Sequence, residues 1–144
     1  MRLIDANLLL YAVNADFPLH RDARSWVEET LSGAETVGFA WVVLLAFLRL
    51  STRPGIFSRP LSPAESLDIV DSWLEQPCAT VVHPGDTHSR ILRDLFGVLG
   101  TAVNVTSDAH LAALAIEHGA ELCSCDNDFS RFPGLRWQNP LTRA

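Results

Sequence analysis

The chain has 144 residues, of which 48% are hydrophobic and 19% charged. That is the size and balance of one ordinary globular domain, and it excludes a disordered chain. The formal net charge of −6 weighs against a broadly basic nucleic-acid-binding surface. The longest apolar run, residues 39–48, is too short to span a membrane and reads as a buried segment. Asp5 and Asn7 fall where a secretory leader would be apolar, so no leader is expected. Three cysteines without framework spacing suit a reducing compartment, and the cytoplasm follows. All 11 basic residues are Arg. High-GC codon use accounts for that most simply, but Arg is also the better fork for phosphate. The absence of Lys argues against phosphotransfer receivers and haloacid-dehalogenase-type phosphatases, whose aspartate sites depend on a lysine.

In chain order, residues 2–5 read as a short buried strand ending in a carboxylate. An early helix at 7–14 carries Leu8, Leu9, Leu10 and Tyr11, and Pro18 interrupts it. Residues 20–31 place Ala23, Trp26, Val27 and Leu31 at helical spacing, with Gly33 as the stop. A small strand lies within 35–40. Residues 41–53 are apolar almost all round, which predicts a buried helix. Arg49 and Arg53 sit near its C-terminal end, where cations suit the dipole, and Pro54-Gly55 ends it.

Ser62-Pro63-Ala64-Glu65 has the pattern of a capping box with proline at the first helical position. The following helix buries Leu67, Val70, Trp73 and Leu74. Residues 78–82 are β-rich and read as a central strand. Asp86 is placed to cap the next helix, which Gly100 ends. Thr106 or Ser107 is placed to cap a helix at 108–117 with Gly119 at its stop. Residues 120–124 form the next strand, and 135–137 a last short edge strand. Strands alternating with helices predict a parallel sheet covered on both faces.

Aspartates gather at the ends of these elements. Asp5 follows the first strand, Asp126 and Asp128 follow the strand at 120–124, and Asp108 opens the helix between. In an open parallel sheet all of them face the edge outside the strand C-termini, where ligands bind. Carboxylates crowded there repel one another unless a cation neutralises them. An oxygen-only set points to a hard ion, Mg²⁺ or Mn²⁺. Taken singly, Asp108 is a helix-start residue, and Asp126-Asn127-Asp128 a turn.

Four blocks together resemble the PIN-domain ribonuclease toxins of the VapBC toxin–antitoxin type. They are Leu-Ile-Asp-Ala-Asn near the start, Phe-Leu-Arg-Leu-Ser-Thr at 47–52, Asp-Ala-His-Leu-Ala-Ala-Leu-Ala at 108–115, and Ser-Cys-Asp-Asn-Asp-Phe-Ser-Arg-Phe at 124–132. The Pro-Gly-Leu-Arg-Trp-Gln-Asn-Pro-Leu tail is also similar. The resemblance runs over essentially the whole chain, 1–144, as one nuclease domain. It implies a three-layer α/β/α sandwich with a mainly parallel sheet, and a Mg²⁺-dependent endoribonuclease (Mn²⁺ as the alternative) that cuts tRNA or rRNA loops. It further implies a cognate VapB-like antitoxin, a homodimer, and no membrane partner.

Carried over by position, Asp5, Asp108, Asp126 and Asp128 are the catalytic acids, with Asp5, Asp108 and Asp126 on the metal. Asn7 and Ser124 match polar positions near the site carboxylates. Asn7, Arg49 and Arg131 are the expected substrate contacts. One departure stands out, since Ala46 occupies a position where such toxins commonly carry Glu. Val42, Ala46, Arg49 and Arg53 share one helix face, so Arg49 is placed to approach the site. The contrasting reading is a degenerate domain that binds RNA or an antitoxin-like protein without cutting.

Other residues read more simply. Cys123 and Cys125 lack a paired second motif for zinc and read as buried or half-buried thiols. His110 and His118 read as surface or core residues, and the four tryptophans as core or interface anchors.

Overall fold

A computed structural model describes residues 1–101 and 104–142. Among them, five strands form one sheet in the order β3-β2-β1-β4-β5. The strands are β1 (Arg2–Ile4), β2 (Val37–Ala40), β3 (Ala79–Val82), β4 (Glu121–Cys123) and β5 (Trp137–Gln138), and every neighbouring pair is parallel. Six helices connect them: α1 (Ala6–Val13), α2 (His20–Ser32), α3 (Trp41–Ser51), α4 (Pro63–Leu74), α5 (His88–Leu99) and α6 (Thr106–Glu117). A short 3₁₀ helix spans Asn127–Arg131.

The first two crossovers step from β1 outward to β3, and the third returns past β1 to β4. Right-handed crossovers therefore put the first helices on one face and α5 and α6 on the other. The helix contacts agree: α1 packs on α2 and α3, α3 on α4, and α5 on α6. The expected α/β/α sandwich is the fold observed.

Local signals read well. Ser62 Oγ accepts from Glu65 N at 3.1 Å, and Glu65 Oε1 accepts from Ser62 N at 3.0 Å, closing the capping box. Gly100 ends α5 in the left-handed region at φ 73°. On the sheet, Leu3, Ile4, Val37, Phe39, Leu122 and Cys123 are all within 1% of full burial. A side chain at Gly38 would meet Val82 Cγ1 at 3.0 Å, so this strand position needs glycine's small profile. α6 is packed by small residues: Ala109 and Leu111–Ala115 are buried, which lets it approach the sheet closely.

Four expectations change. The strand at 79–82 is an edge strand, bonded among the described strands to β2 alone, and Val82 is its one buried residue. α3 is not buried all round: Val43, Leu44 and Phe47 are buried, but Trp41 and Leu45 are 44% and 55% exposed. Trp41, Leu45 and Arg49 lie one turn apart and form the exposed face of the helix. Asp86 does not cap α5, which Thr87 precedes, and α6 begins at Thr106 after Val105 with no side-chain cap bond. β4 runs from Glu121 to Cys123, so Ser124, expected inside the strand, lies just past it.

Candidate active site at the sheet edge

β1 and β4 are direct neighbours in register, with Ile4 opposite Cys123. The strand order reverses between them, and the residues just past their ends therefore flank the crevice where such sheets bind ligands. Asp5 N donates to Cys123 O at 2.9 Å, which continues the ladder by one rung.

Asp5 is tightly held. Its Oδ1 accepts from Ala6 N at 2.8 Å and caps α1. Its Oδ2 accepts from Ser124 Oγ at 2.7 Å and lies 3.5 Å from Asn7 Nδ2. Ser124 is fully buried and its hydroxyl is saturated: it donates to Asp5 and accepts from Asn7 Nδ2 at 3.1 Å and Asp126 N at 3.0 Å. Asn7 Oδ1 accepts from Cys125 N at 3.2 Å. The side-chain amide of Asn7 is thus engaged with Asp5, Ser124 and the turn after β4. Trp137 Nε1 donates to Ser124 O at 3.2 Å, so β5 braces the same residue from outside.

The other acids are looser. Asp108 lies in the first turn of α6, where the dipole favours a negative charge. Its side chain is 36% exposed, and its Oδ2 is 4.0 Å from the Arg131 guanidinium. Arg131 also lies over the Phe132 ring, 5.5 Å from its centroid. Asp126 Oδ1 accepts from Asp128 N at 2.9 Å and starts the 3₁₀ turn. Asp128 is exposed, and it is its backbone that serves the turn.

These carboxylates sense one another. Burial raises the Asp5 pKa above the usual carboxylate range, and the Asp126 charge adds to it, while the Ser124 and Ala6 bonds oppose. Asp108 is also raised, first by burial, then by the charges of Asp126 and Asp5, with Arg131 opposing and Asp128 adding a little. Beside them the Cys125 thiol is pushed up to about 11 by burial and by the Asp5 charge, and burial likewise pushes Cys123 to about 11. Neither is a thiolate at neutral pH.

A cavity of about 290 Å³ opens on this edge, lined by Asp5 and Asp108, by Val42, Ala46 and Arg49 on α3, and by Ser107. Residue 46 therefore faces the acidic pocket, as its helix spacing implies, and Arg49, on the same helix, lines it too. Asp126 and Asp128 lie beside this lining rather than in it. The donor set is all oxygen, which suits a hard divalent ion, and mutual repulsion gives such an ion something to relieve. Among the described residues no three acidic, His or Cys side chains yet converge as a coordination group.

Reasoning from the sequence did not find Ser107 on the pocket wall, nor the pair His88 and Glu117 on the α5–α6 side. His88 is buried and meets Glu117 across two helices, which neither helix shows by spacing. His110, read as a surface or core residue, has its Nδ1 2.9 Å from His88 Nε2. Burial, and then the neighbouring His88, lowers its pKa.

An open parallel sheet with acids at the switch point defines an α/β fold with an acidic site at its ligand-binding edge. The PIN domain family model matches residues 2–135, and the chain belongs to that family. It is 49% identical over 140 residues to Ribonuclease VapC37 of Mycobacterium tuberculosis, covering 97% of both chains. It is 41% identical over 141 residues to Ribonuclease VapC33 of the same species, covering 98% of this chain and 99% of that one. Among solved structures, it is similar in fold to VapBC2 from Rickettsia felis bound to promoter DNA. That match has a TM-score of 0.69 and 17% identity, over 96% of this chain and 97% of that one. A second fold match is Mycobacterium tuberculosis VapC20, a sarcin–ricin loop cleaving toxin, with a TM-score of 0.65 and 19% identity over 94% and 99% of the two chains. No helix among the described residues is long and apolar enough to cross a membrane.

Proposed function

We propose that residues 1–144 act as one nuclease domain, a Mg²⁺-dependent endoribonuclease that is the toxin of a type II toxin–antitoxin pair. Its substrates are structured RNAs, tRNA or rRNA loops, and its compartment is the cytoplasm. Relatives named VapC ribonucleases match over nearly the whole chain, which supports this reading. The observation that carries it is the pocket whose lining brings Asp5 and Asp108 together with Arg49. Asp5, Asp108 and Asp126 would hold Mg²⁺, or Mn²⁺, with Asp128 beside them. A bound ion would supply an activated water and offset charge on the phosphate.

The chain's own residues do the rest. Arg49 and Arg131 anchor the phosphodiester, Ser124 and Asn7 keep Asp5 aimed, and Asp108 is released from Arg131 as the phosphate takes over that guanidinium. A VapB-like antitoxin is the expected inhibitor, since the similar structures include VapBC complexes, and a homodimer is the expected working form.

The test is RNA cleavage by purified protein with Mg²⁺ or Mn²⁺, with cleavage lost in EDTA. Asp5→Asn or Asp108→Asn cutting at the native rate would sink the assignment. The second reading, a domain that binds RNA or an antitoxin-like protein without cutting, is favoured by Ala46, which puts a methyl group where the pocket would gain another carboxylate. Calorimetric metal titration separates the two. Binding that disappears with Asp126→Ala supports the enzyme, and no binding at millimolar ion supports the alternative.

A further inference from the structure

The acidic pocket continues into a second cavity that phosphodiester hydrolysis does not use. It encloses about 370 Å³ and is lined by Val42, Leu92, Phe96, Thr106, Ser107 and His110. Val42 and Ser107 line both cavities. Its volume lies in the range of small-ligand pockets, and its walls are mainly apolar.

Behind the wall, His110 is the outer end of a polar chain. His110 Nδ1 lies 2.9 Å from His88 Nε2. His88 is 8% exposed, and its buried Nδ1 has no directed hydrogen bond; it faces Glu117 Oε1 at 3.4 Å. Glu117 is itself anchored, accepting from Gly85 N and from Thr87 Oγ1, each at 2.8 Å. An ionised carboxylate only accepts. The His88 proton therefore belongs on Nδ1, towards Glu117. Its Nε2 then accepts from His110 Nδ1, which leaves the His110 Nε2 lone pair for the cavity.

We propose that this cavity is a nucleobase subsite beside the scissile phosphate, in which His110 reads an N–H on the edge of an unstacked base. His88 and Glu117 are positioning residues that hold His110 as an acceptor. The proposal rests on the ribonuclease reading and names the part of the substrate that this side of the site binds. A base fits what is there. Single-stranded RNA splays bases onto aromatic and apolar side chains and is read along base edges. Phe96 and Leu92 supply the face, His110 the edge contact, and continuity with the acidic pocket keeps the base within reach of a bound phosphate.

Two measurements on the full chain test it. In nitrogen-15 spectra of the histidine rings at neutral pH, His110 is expected as the Nδ1–H tautomer, and as a tautomer mixture in Glu117→Ala. Binding is then compared in EDTA between a short oligoadenylate and an abasic ribose-phosphate oligomer of equal length. The native chain prefers the oligoadenylate. His110→Phe keeps the ring shape and lowers that preference about fivefold; Phe96→Ala lowers it about tenfold. Arg49→Ala weakens both ligands alike.

An Nε2–H tautomer in the native chain, or a base preference that neither variant changes, overturns the proposal. So does hydrogen-exchange protection of 88–99 that rises with protein concentration and not with RNA, because a second copy then fills the cavity. Base preference without metal-dependent cleavage leaves the subsite standing and removes the nuclease reading. Cleavage without base preference does the reverse.

Discussion

Asp5 and Asp108 face the same pocket but are built differently. Asp5 has its carboxylate oxygens bonded to Ala6 N and Ser124 Oγ, and the strand ladder runs directly into it. Asp108 has a long contact to Arg131 and a side chain 36% exposed. One is set by the framework and the other is free to adjust. The proposed cation site would draw on both, a fixed reference and an acid that can adjust.

Removing the fixed acid is the strongest way to break that contrast. Asp5→Asn keeps the shape but removes the charge, and RNA cleavage is expected to fall about a thousandfold, equivalent to several kcal/mol of transition-state stabilisation. Ser124→Ala tests whether fixing matters in itself. It leaves every acid in place but frees Asp5 Oδ2 and strands Asp126 N, so activity should drop about 10–100-fold with weaker metal binding by calorimetry. An unchanged rate would mean that Asp5 does not depend on its buried brace. At the loose end of the scale, Asp128→Asn should cost less than about tenfold in rate and leave stability within about 0.5 kcal/mol, because only its backbone is bonded.

The smallest effect is on stability, and its sign is informative. Asp108 has its pKa raised on folding, so the folded state holds its proton more tightly than the unfolded chain does. Its contribution is complete below the ordinary carboxylate value of 3.8 and is lost as pH rises through the raised folded value. In EDTA, Asp108→Asn should therefore match the native Tm in acid and exceed it at neutral pH by a small margin, on the order of 2 °C. A native chain that is the more stable at neutral pH would show Arg131 to outweigh the repulsion. The same melt with saturating Mg²⁺ should reverse the order, since the ion stabilises only the chain that binds it.

What could be read from the sequence was local or set by chain direction. The capping box at Ser62 and Glu65 lies within one turn, and the stops at Gly100 and Gly119 need only a backbone preference. That Asp5, Asp108 and Asp126 share an edge followed from strand and helix polarity alone. Strand order did not. Placing β3 at the sheet edge requires knowing that the third crossover returns past β1, which no local pattern records. The exposure of Trp41 and Leu45 follows one i, i+4 face of α3, which a run apolar on every side does not mark in the sequence. His88 meets His110 across two helices, and neither helix shows it by spacing.

The bond from Ser124 to Asp5 joins residues 119 apart in the chain. Synthesis proceeds from the N-terminus at about 5–20 residues per second, so Asp5 is made early and its brace late. A nascent chain that stops short of β4 has the first strand, the first acid and all of α3, yet no hydroxyl to hold that acid, no Asp126, and no parallel neighbour on that side of β1. The acidic pocket therefore lacks its brace until the chain is almost finished.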